Sequence, residues 1–311
     1  MHIPDNFLSP PVWATLDAVA IPAVAIVSRQ AQKTTDQNRL PLLGVMGAFV
    51  FAAQMINFPV GIGTSGHLVG GTLLACLLGP WSAALVVTSI LIVQALVFQD
   101  GGVLALGANV INMALLGVVA GYLPARILAQ SKWRFYGVFL GGICSVLVSG
   151  VLALTELAFS GIRISRTLLG ISFGLFAINA LMEGAITVSV LRAIERLNPA
   201  LQKSVLRKPV AARSSQRKLI GAFALVSAAL AIGGVLVAST LPDGLEHLAK
   251  RLGIPFGAHP LFRSPLGDYQ VRALGQNWFS HVAAGLLGLL FVYAICALGS
   301  HLLTRARRSY S

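Results

Sequence analysis

The chain opens Met1-His2-Ile3-Pro4-Asp5-Asn6, and a histidine at position 2 places three nitrogens within reach of one ion. The α-amine of Met1, the backbone nitrogen of His2 and the His2 imidazole Nδ1 close a five-membered and a six-membered chelate ring. The set works only if the amide ionises, and among common divalent metals Ni(II) and Cu(II) favour that best and accept a square-planar nitrogen field. Three donors leave one corner open. Pro4 fixes its own φ and turns Ile3 away from helix, so the terminus is expected to be extended and able to fold inward. The competing reading is a histidine that merely sits near a frayed end. A large residue at position 2 also disfavours removal of Met1.

His67 is the candidate for the fourth corner. It lies in the glycine-rich stretch Gly61-Ile62-Gly63-Thr64-Ser65-Gly66-His67, where glycine lets backbone approach a ligand closely. Ser65 is expected to cap a helix starting near Gly66. A lone histidine at a helix start is ordinarily a cap or a packed residue, so His67 gains weight only if it and His2 meet on one side of a membrane. His247, His259 and His281 form a weaker second set, and His301 reads as interfacial. Three cysteines, Cys76, Cys144 and Cys296, sit in apolar runs and spell neither a disulfide framework nor a zinc motif.

A membrane is what the composition demands. Hydrophobic residues are 56% of the 311 and charged residues 11%, under half the share in soluble domains. Apolar runs at 11–28, 40–57, 80–98, 104–125, 135–159, 168–191, 219–240 and 279–303 are expected to span. A shorter run, 67–78, ends at Gly79-Pro80 and reads as a tilted helix or a half-helix turning there. The class is all-α, a polytopic helical membrane protein. With nine crossings and the N-terminus outside, 17 of the 23 Lys and Arg fall inside, which is the positive-inside bias. The net charge of +13 is therefore mostly topology, and nucleic acid is not an expected partner, since no aromatic residues interleave the 192–218 charges. No Lys or Arg precedes the first run, so Ala18-Val19-Ala20 is not expected to be a signal-peptide cleavage site.

Asn198-Pro199, Lys208-Pro209 and eight basic residues mark 192–218 as an inside segment. The expected organisation is a seven-segment domain over 1–195, a basic cytoplasmic linker over 196–218, and a two-helix module over 219–311 with an outside loop, 241–278. Pro242-Asp243-Gly244 in that loop reads as a turn. Polar residues inside the spans carry a functional expectation. Gln54 and Asn57 share a helix face, as do Asn109 and Asn112, and both pairs are expected to hydrogen-bond the broken backbone near 61–67. Asp17, Gln94, Asn179, Glu156 and Glu183 complete the set, and the two glutamates are the candidates for a proton relay.

These residues carry a resemblance. Met1-His2-Ile3-Pro4-Asp5-Asn6-Phe7-Leu8-Ser9-Pro10, Ala53-Gln54-Met55-Ile56-Asn57-Phe58-Pro59-Val60, Gly63-Thr64-Ser65-Gly66-His67-Leu68, Asp100-Gly101-Gly102 and Gly107-Ala108-Asn109-Val110-Ile111-Asn112 together resemble the metal-binding membrane component of nickel/cobalt energy-coupling-factor importers, the CbiM/NikM family. The likeness covers most of 1–195. Pro242-Asp243-Gly244-Leu245-Glu246 is similar to the signature of the small accessory component found beside that subunit, here fused to it. The resemblance implies a seven-helix capture subunit whose N-terminus reaches into the core. There the Met1 amine, the His2 amide and imidazole nitrogens and the His67 imidazole would hold the metal, with Ser65, Gly66, Gln54, Asn57, Asn109 and Asn112 supporting them. Asn6 stands where the family usually has glycine, and Gly61-Ile62 where a Pro-Gly-like turn is common. Asn tolerates left-handed backbone, so the first change is mild.

No phosphate loop of the GxxxxGK[ST] type occurs, so ATP binding of that kind is excluded here. The resemblance implies separate cytoplasmic ATPase subunits and a separate transmembrane coupling protein. The expected function is capture of Ni(II), with Co(II) for cobalamin synthesis as the alternative cargo, at a prokaryotic inner membrane with the C-terminus cytoplasmic. A proton-coupled permease and a membrane metal sensor are the other readings. No nucleophile and base suggest an enzyme.

Overall fold

Proline and glycine set where the helices begin and break. Pro10 opens α1 (Pro10–Thr34) and Pro80 opens α4 (Pro80–Val93), positions where a missing N–H costs no hydrogen bond. Between them the chain forms α2 (Leu40–Gln54), a hairpin of β1 (Phe58–Gly61) and β2 (Thr64–Gly66), and α3 (Gly71–Leu78). The computed structural model describes residues 2–34, 40–61, 63–197, 213–254 and 262–308. Most of the 196–218 segment, Met1 and His259 therefore lie outside the described residues, as does the side chain of His301.

α3 is the short helix of the 67–78 run. Its eight residues end at Gly79, whose φ of 85° turns the chain directly into α4. α4 widens into a π-helical turn at Gln94–Phe98 and is closed by Gln99 in the left-handed region. The next span is built from α5 (Leu106–Asn109), a π-helical stretch at Val110–Leu116, and α6 (Gly117–Ile127). α7 (Arg134–Phe159) and α8 (Arg166–Leu197) follow as long apolar helices. Seven helices among the described residues are long and apolar enough to cross a membrane. α2, with 15 residues, is about 22 Å long, short of the roughly 30 Å hydrocarbon layer. The hairpin and α3 follow it directly in the chain. Lipid penalises such irregular backbone unless protein covers it, and here Thr64, Ser65, His67 and Val69 are all buried.

The C-terminal region packs onto α2 from two sides with α9 (Arg213–Val237) and α11 (Trp278–Arg308). The fit is close: a Cβ placed on Gly44 would meet the Tyr293 ring at 2.7 Å. Between these helices lies α10 (Gly244–Leu252), an element that the turn reading of Pro242-Asp243-Gly244 missed. Asp243 is its N-cap. The Asp243 carboxylate accepts from Leu245 N and Glu246 N at 2.8 Å each, and Glu246 Oε2 accepts the Asp243 N–H at 3.1 Å. That is a capping box, and the signal for it was the glutamate three residues on.

Candidate metal centre

His2 and His67 come together. Their rings stack at 5.1 Å between centroids, 6° from parallel, and both residues are buried. They belong to elements far apart in sequence, so the fold must bring each one in separately.

The N-terminal segment is carried inward as an extended piece. Asn109, at the end of α5, accepts the Ile3 N–H at 2.8 Å and donates Nδ2 to the Ile3 carbonyl at 3.0 Å. Gly102 N also donates to that carbonyl, at 2.8 Å, and Leu104 N donates to Asp5 Oδ1 at 2.8 Å. The approach is too close for a side chain: a Cβ on Gly102 would lie 2.5 Å from Asp5 N, and one on Gly101 would lie 3.1 Å from His2 Cβ. Asn6 turns the chain out again with φ at 71°, the conformation that glycine adopts freely and that asparagine tolerates.

His67 follows β2 and is fixed by what surrounds that strand. Its Nδ1 lies 2.9 Å from the Leu68 carbonyl. A carbonyl only accepts, so Nδ1 carries the proton and Nε2 carries the lone pair that a metal needs. Asn179 Nδ2 donates to the His67 carbonyl at 3.4 Å. Just beyond it, the Glu183 carboxylate accepts Val69 N at 2.7 Å and Gly70 N at 2.9 Å. Gln54 Nε2 donates to the Val69 carbonyl at 2.8 Å.

Ser65 does not cap a helix. It lies in β2, its N–H donates to the Pro242 carbonyl at 2.8 Å and its hydroxyl to the Leu241 carbonyl at 2.6 Å. A parallel bridge to Asp243 continues the pairing. The helix behind it begins only at Gly71, because Gly70 holds a positive φ of 76°. Gly66 is backed by Asn179 and Val60 so closely that no Cβ fits there. Asn57 acts through its backbone carbonyl, which accepts Ser239 N at 2.8 Å. Asn112 donates Nδ2 to Glu156 Oε2 at 2.9 Å. Of the residues expected to support the site, Gln54 and Asn109 touch its framework with their side chains, whereas Asn57 contributes backbone and Asn112 belongs to a neighbouring buried pair.

Two further residues complete the surroundings. Asp100 Oδ1 lies 3.3 Å from His2 Nδ1, and its side chain is a third exposed while that of His2 is 4% exposed. Burial works to raise the Asp100 carboxyl, but the His2 imidazole beside it outweighs that and holds it well below the usual carboxylate range. Tyr269, from the C-terminal region, donates its hydroxyl to Asp100 Oδ2 at 2.5 Å. Burial, and then the Asp100 charge, push the phenol well above its usual range, so it remains a donor. Among the described residues, none is a hydrogen-bond partner of the buried His2 Nε2. Among the described residues no three His, Cys, Asp or Glu side chains form a metal cage. Two imidazoles beside an N-terminal backbone are a different arrangement from such a cage. The Met1 amine lies outside the described residues. His247 lies 3.4 Å from Arg251 and His281 is bound to the Tyr269 carbonyl at 3.0 Å, so neither of these histidines joins the centre.

A family model described as the cobalt uptake substrate-specific transmembrane region matches residues 2–201, and the PDGLE domain matches residues 217–305. The putative fused nickel transport protein NikMN of Archaeoglobus fulgidus is 32% identical over 300 residues, covering 95% of this chain and 96% of that protein. The probable fused nickel transport protein LarMN of Lactiplantibacillus plantarum is 42% identical over 159 residues, 49% of this chain and 48% of that one. A crystal structure of a transition metal transporter superposes with a TM-score of 0.57 at 30% identity, covering 65% of this chain and 97% of that chain.

Proposed function

The chain belongs to the CbiM family of cobalt-uptake transmembrane regions and carries a PDGLE domain, and from that premise we propose that it is the capture subunit of an ATP-driven importer whose cargo is nickel. It is a multi-pass membrane protein of a metal-transport family, not an enzyme. The observation that carries the nickel reading is the stacked pair His2 and His67 at 5.1 Å, beside a main chain that Asn109 draws inward. The four donors are the Met1 amine, the His2 amide nitrogen, His2 Nδ1 and His67 Nε2. His2 Nδ1 also faces Asp100 Oδ1, so binding an ion through that nitrogen exchanges this contact for the ion. Low-spin Ni(II) gains from a plane of such nitrogens, whereas Zn(II) prefers a tetrahedron. Cu(II) binds the same ligands at least as well, and discrimination against it rests on what the outside medium supplies.

Cobalt is the second reading, and the family model's own description, cobalt uptake, supports it. A proton-coupled permease draws less support. Glu183 spends both carboxylate oxygens on the Val69 and Gly70 amides, and Glu156 is bound by Asn112.

The organisation we adopt is a capture domain over 1–195, a cytoplasmic linker over 196–218 and an accessory module over 219–311. The site opens to the outside of a prokaryotic plasma membrane, and the charge bias supports that orientation. Energy comes from separate cytoplasmic ATPase subunits through a separate transmembrane coupling protein. The test is nickel and cobalt accumulation in cells carrying the full importer, with intact ATPase subunits or with subunits unable to hydrolyse ATP. Nickel uptake that stops with the ATPase supports the proposal. Uptake that persists would return the choice to a permease, and preferential cobalt uptake would change the cargo.

A further inference from the structure

Tyr269 is 169 residues from Asp100 in sequence, yet their side chains meet at 2.5 Å. The phenol is held on several sides. Its ring stacks on Phe98 at 4.7 Å and 12°, its hydroxyl accepts from Gln94 Nε2 at 3.3 Å, and its carbonyl meets His281 Nδ1 at 3.0 Å. Gln94 Nε2 also donates to Gln54 Oε1 at 2.9 Å, and Gln54 Nε2 reaches the carbonyl of Val69, two residues after His67. One polar chain therefore runs from the His67 loop through the C-terminal region to the carboxylate beside His2.

Both oxygens of Asp100 are engaged, Oδ2 by Tyr269 and Oδ1 by His2 Nδ1. A carboxylate this near a metal site is itself a competent oxygen ligand, and oxygen donors suit ions that take octahedral surroundings. Once an ion takes His2 Nδ1, Oδ1 loses its neighbour. Among the described residues, Tyr269 is then the remaining side-chain donor to the carboxylate.

We propose that Tyr269 is a positioning residue that sets metal specificity: by holding Asp100 Oδ2 it keeps the carboxylate out of the coordination sphere, so the ion meets nitrogens in a plane rather than a mixed nitrogen and oxygen set. This rests on the four-nitrogen reading given above. It gives the C-terminal region a part in choosing the metal, because the residue that restrains Asp100 comes from that region.

The experiment uses three full-length proteins in detergent: wild type, Tyr269→Phe, and Tyr269→Phe with Asp100→Asn. Phenylalanine keeps the stack on Phe98 and removes only the hydroxyl, and the metal-free melting temperature checks that each protein is folded. Each is titrated with Ni(II) and with Co(II), and the nickel complexes are examined by absorption and magnetic susceptibility. The wild-type nickel complex should be planar and diamagnetic. Tyr269→Phe should become paramagnetic in part, and its preference for nickel over cobalt should narrow by roughly ten- to a hundredfold, the range that one hydrogen bond to a charged group covers. The double variant should regain the planar spectrum, since an amide is a far weaker ligand than a carboxylate. A Tyr269→Phe protein with the wild-type spectrum and preference would overturn the inference, as would a double variant that stays paramagnetic. A wild-type complex that is already paramagnetic would instead remove the four-nitrogen reading, and this inference with it.

Discussion

Asn109 holds Ile3 by both of its backbone polar groups, accepting the N–H at 2.8 Å and donating to the carbonyl at 3.0 Å. A side-chain amide thus stands in for a neighbouring strand, and it does so inside a helical membrane protein. Ile3 adjoins His2, so this pairing fixes the backbone from which His2 projects its ring. The π-helical stretch that begins at Val110 starts immediately after Asn109, in keeping with the tendency of such bulges to occur at functional positions.

Replacing Asn109 with alanine should therefore weaken nickel binding while leaving the helices intact. Two buried hydrogen bonds are lost, each with a net worth of about 0.5–1.5 kcal/mol, so the affinity should fall roughly 5- to 150-fold. Isothermal titration of the purified variant measures this. An unchanged Kd would show that the terminal segment finds its place without the asparagine.

The α-amine is the second test. Adding one residue before Met1, or acetylating it, should abolish tight Ni(II) binding even with His2 and His67 intact, because two of the four proposed donors depend on the native terminus. Near-normal affinity in the extended protein would favour a site made of side chains alone.

How much of this was legible before the structure depends on the residue. His2, His67, Gln54 and Asn109 stand out because a polar group in an apolar run needs a reason, and the framework around the histidines gives it. Asp100 and Tyr269 did not stand out as parts of the centre. Asp100 sits in a glycine-rich connection where a carboxylate needs no special explanation, and its phenol partner is 169 residues away, a distance no local pattern encodes. The hairpin at 58–66 was hidden for a similar reason. Ser65 has the chemistry of a helix cap, but its backbone pairs with Pro59 across the hairpin and its hydroxyl reaches the Leu241 carbonyl. The end of the short helix α3 was readable because Gly79-Pro80 punctuates the chain. Asp243 was readable as a cap had Glu246 been weighed with it.

Removing the His67 imidazole tests the paired histidines. His67→Ala should leave a folded protein that binds nickel at least 100-fold more weakly, on the order of 3 kcal/mol, because one of four inner donors is gone. His247→Ala should bind as wild type does, since His247 contacts Arg251 and not the centre. Metal-stimulated thermal stabilisation in detergent compares the two. Equal losses in both variants would contradict the ranking.

The last prediction concerns Glu183, which is 1% exposed and accepts the amides of both Val69 and Gly70. These N–H groups lie in the segment just before α3, and in a lipid-embedded protein no water replaces a lost acceptor. Glu183→Ala strands both donors, at about 1–3 kcal/mol each, so it should lower the melting temperature of the metal-free protein sharply. Glu183→Gln retains one acceptor oxygen and should fall between the two. Because the same loop carries His67, the loss of nickel affinity should follow the same order: wild type tightest, glutamine intermediate, alanine weakest. A permease that uses Glu183 to carry protons behaves differently. There glutamine, which cannot ionise, would abolish uptake as completely as alanine while leaving stability and nickel affinity near wild type. Measuring melting temperature, nickel Kd and uptake on the same three proteins separates a carboxylate that holds the loop from one that moves a proton.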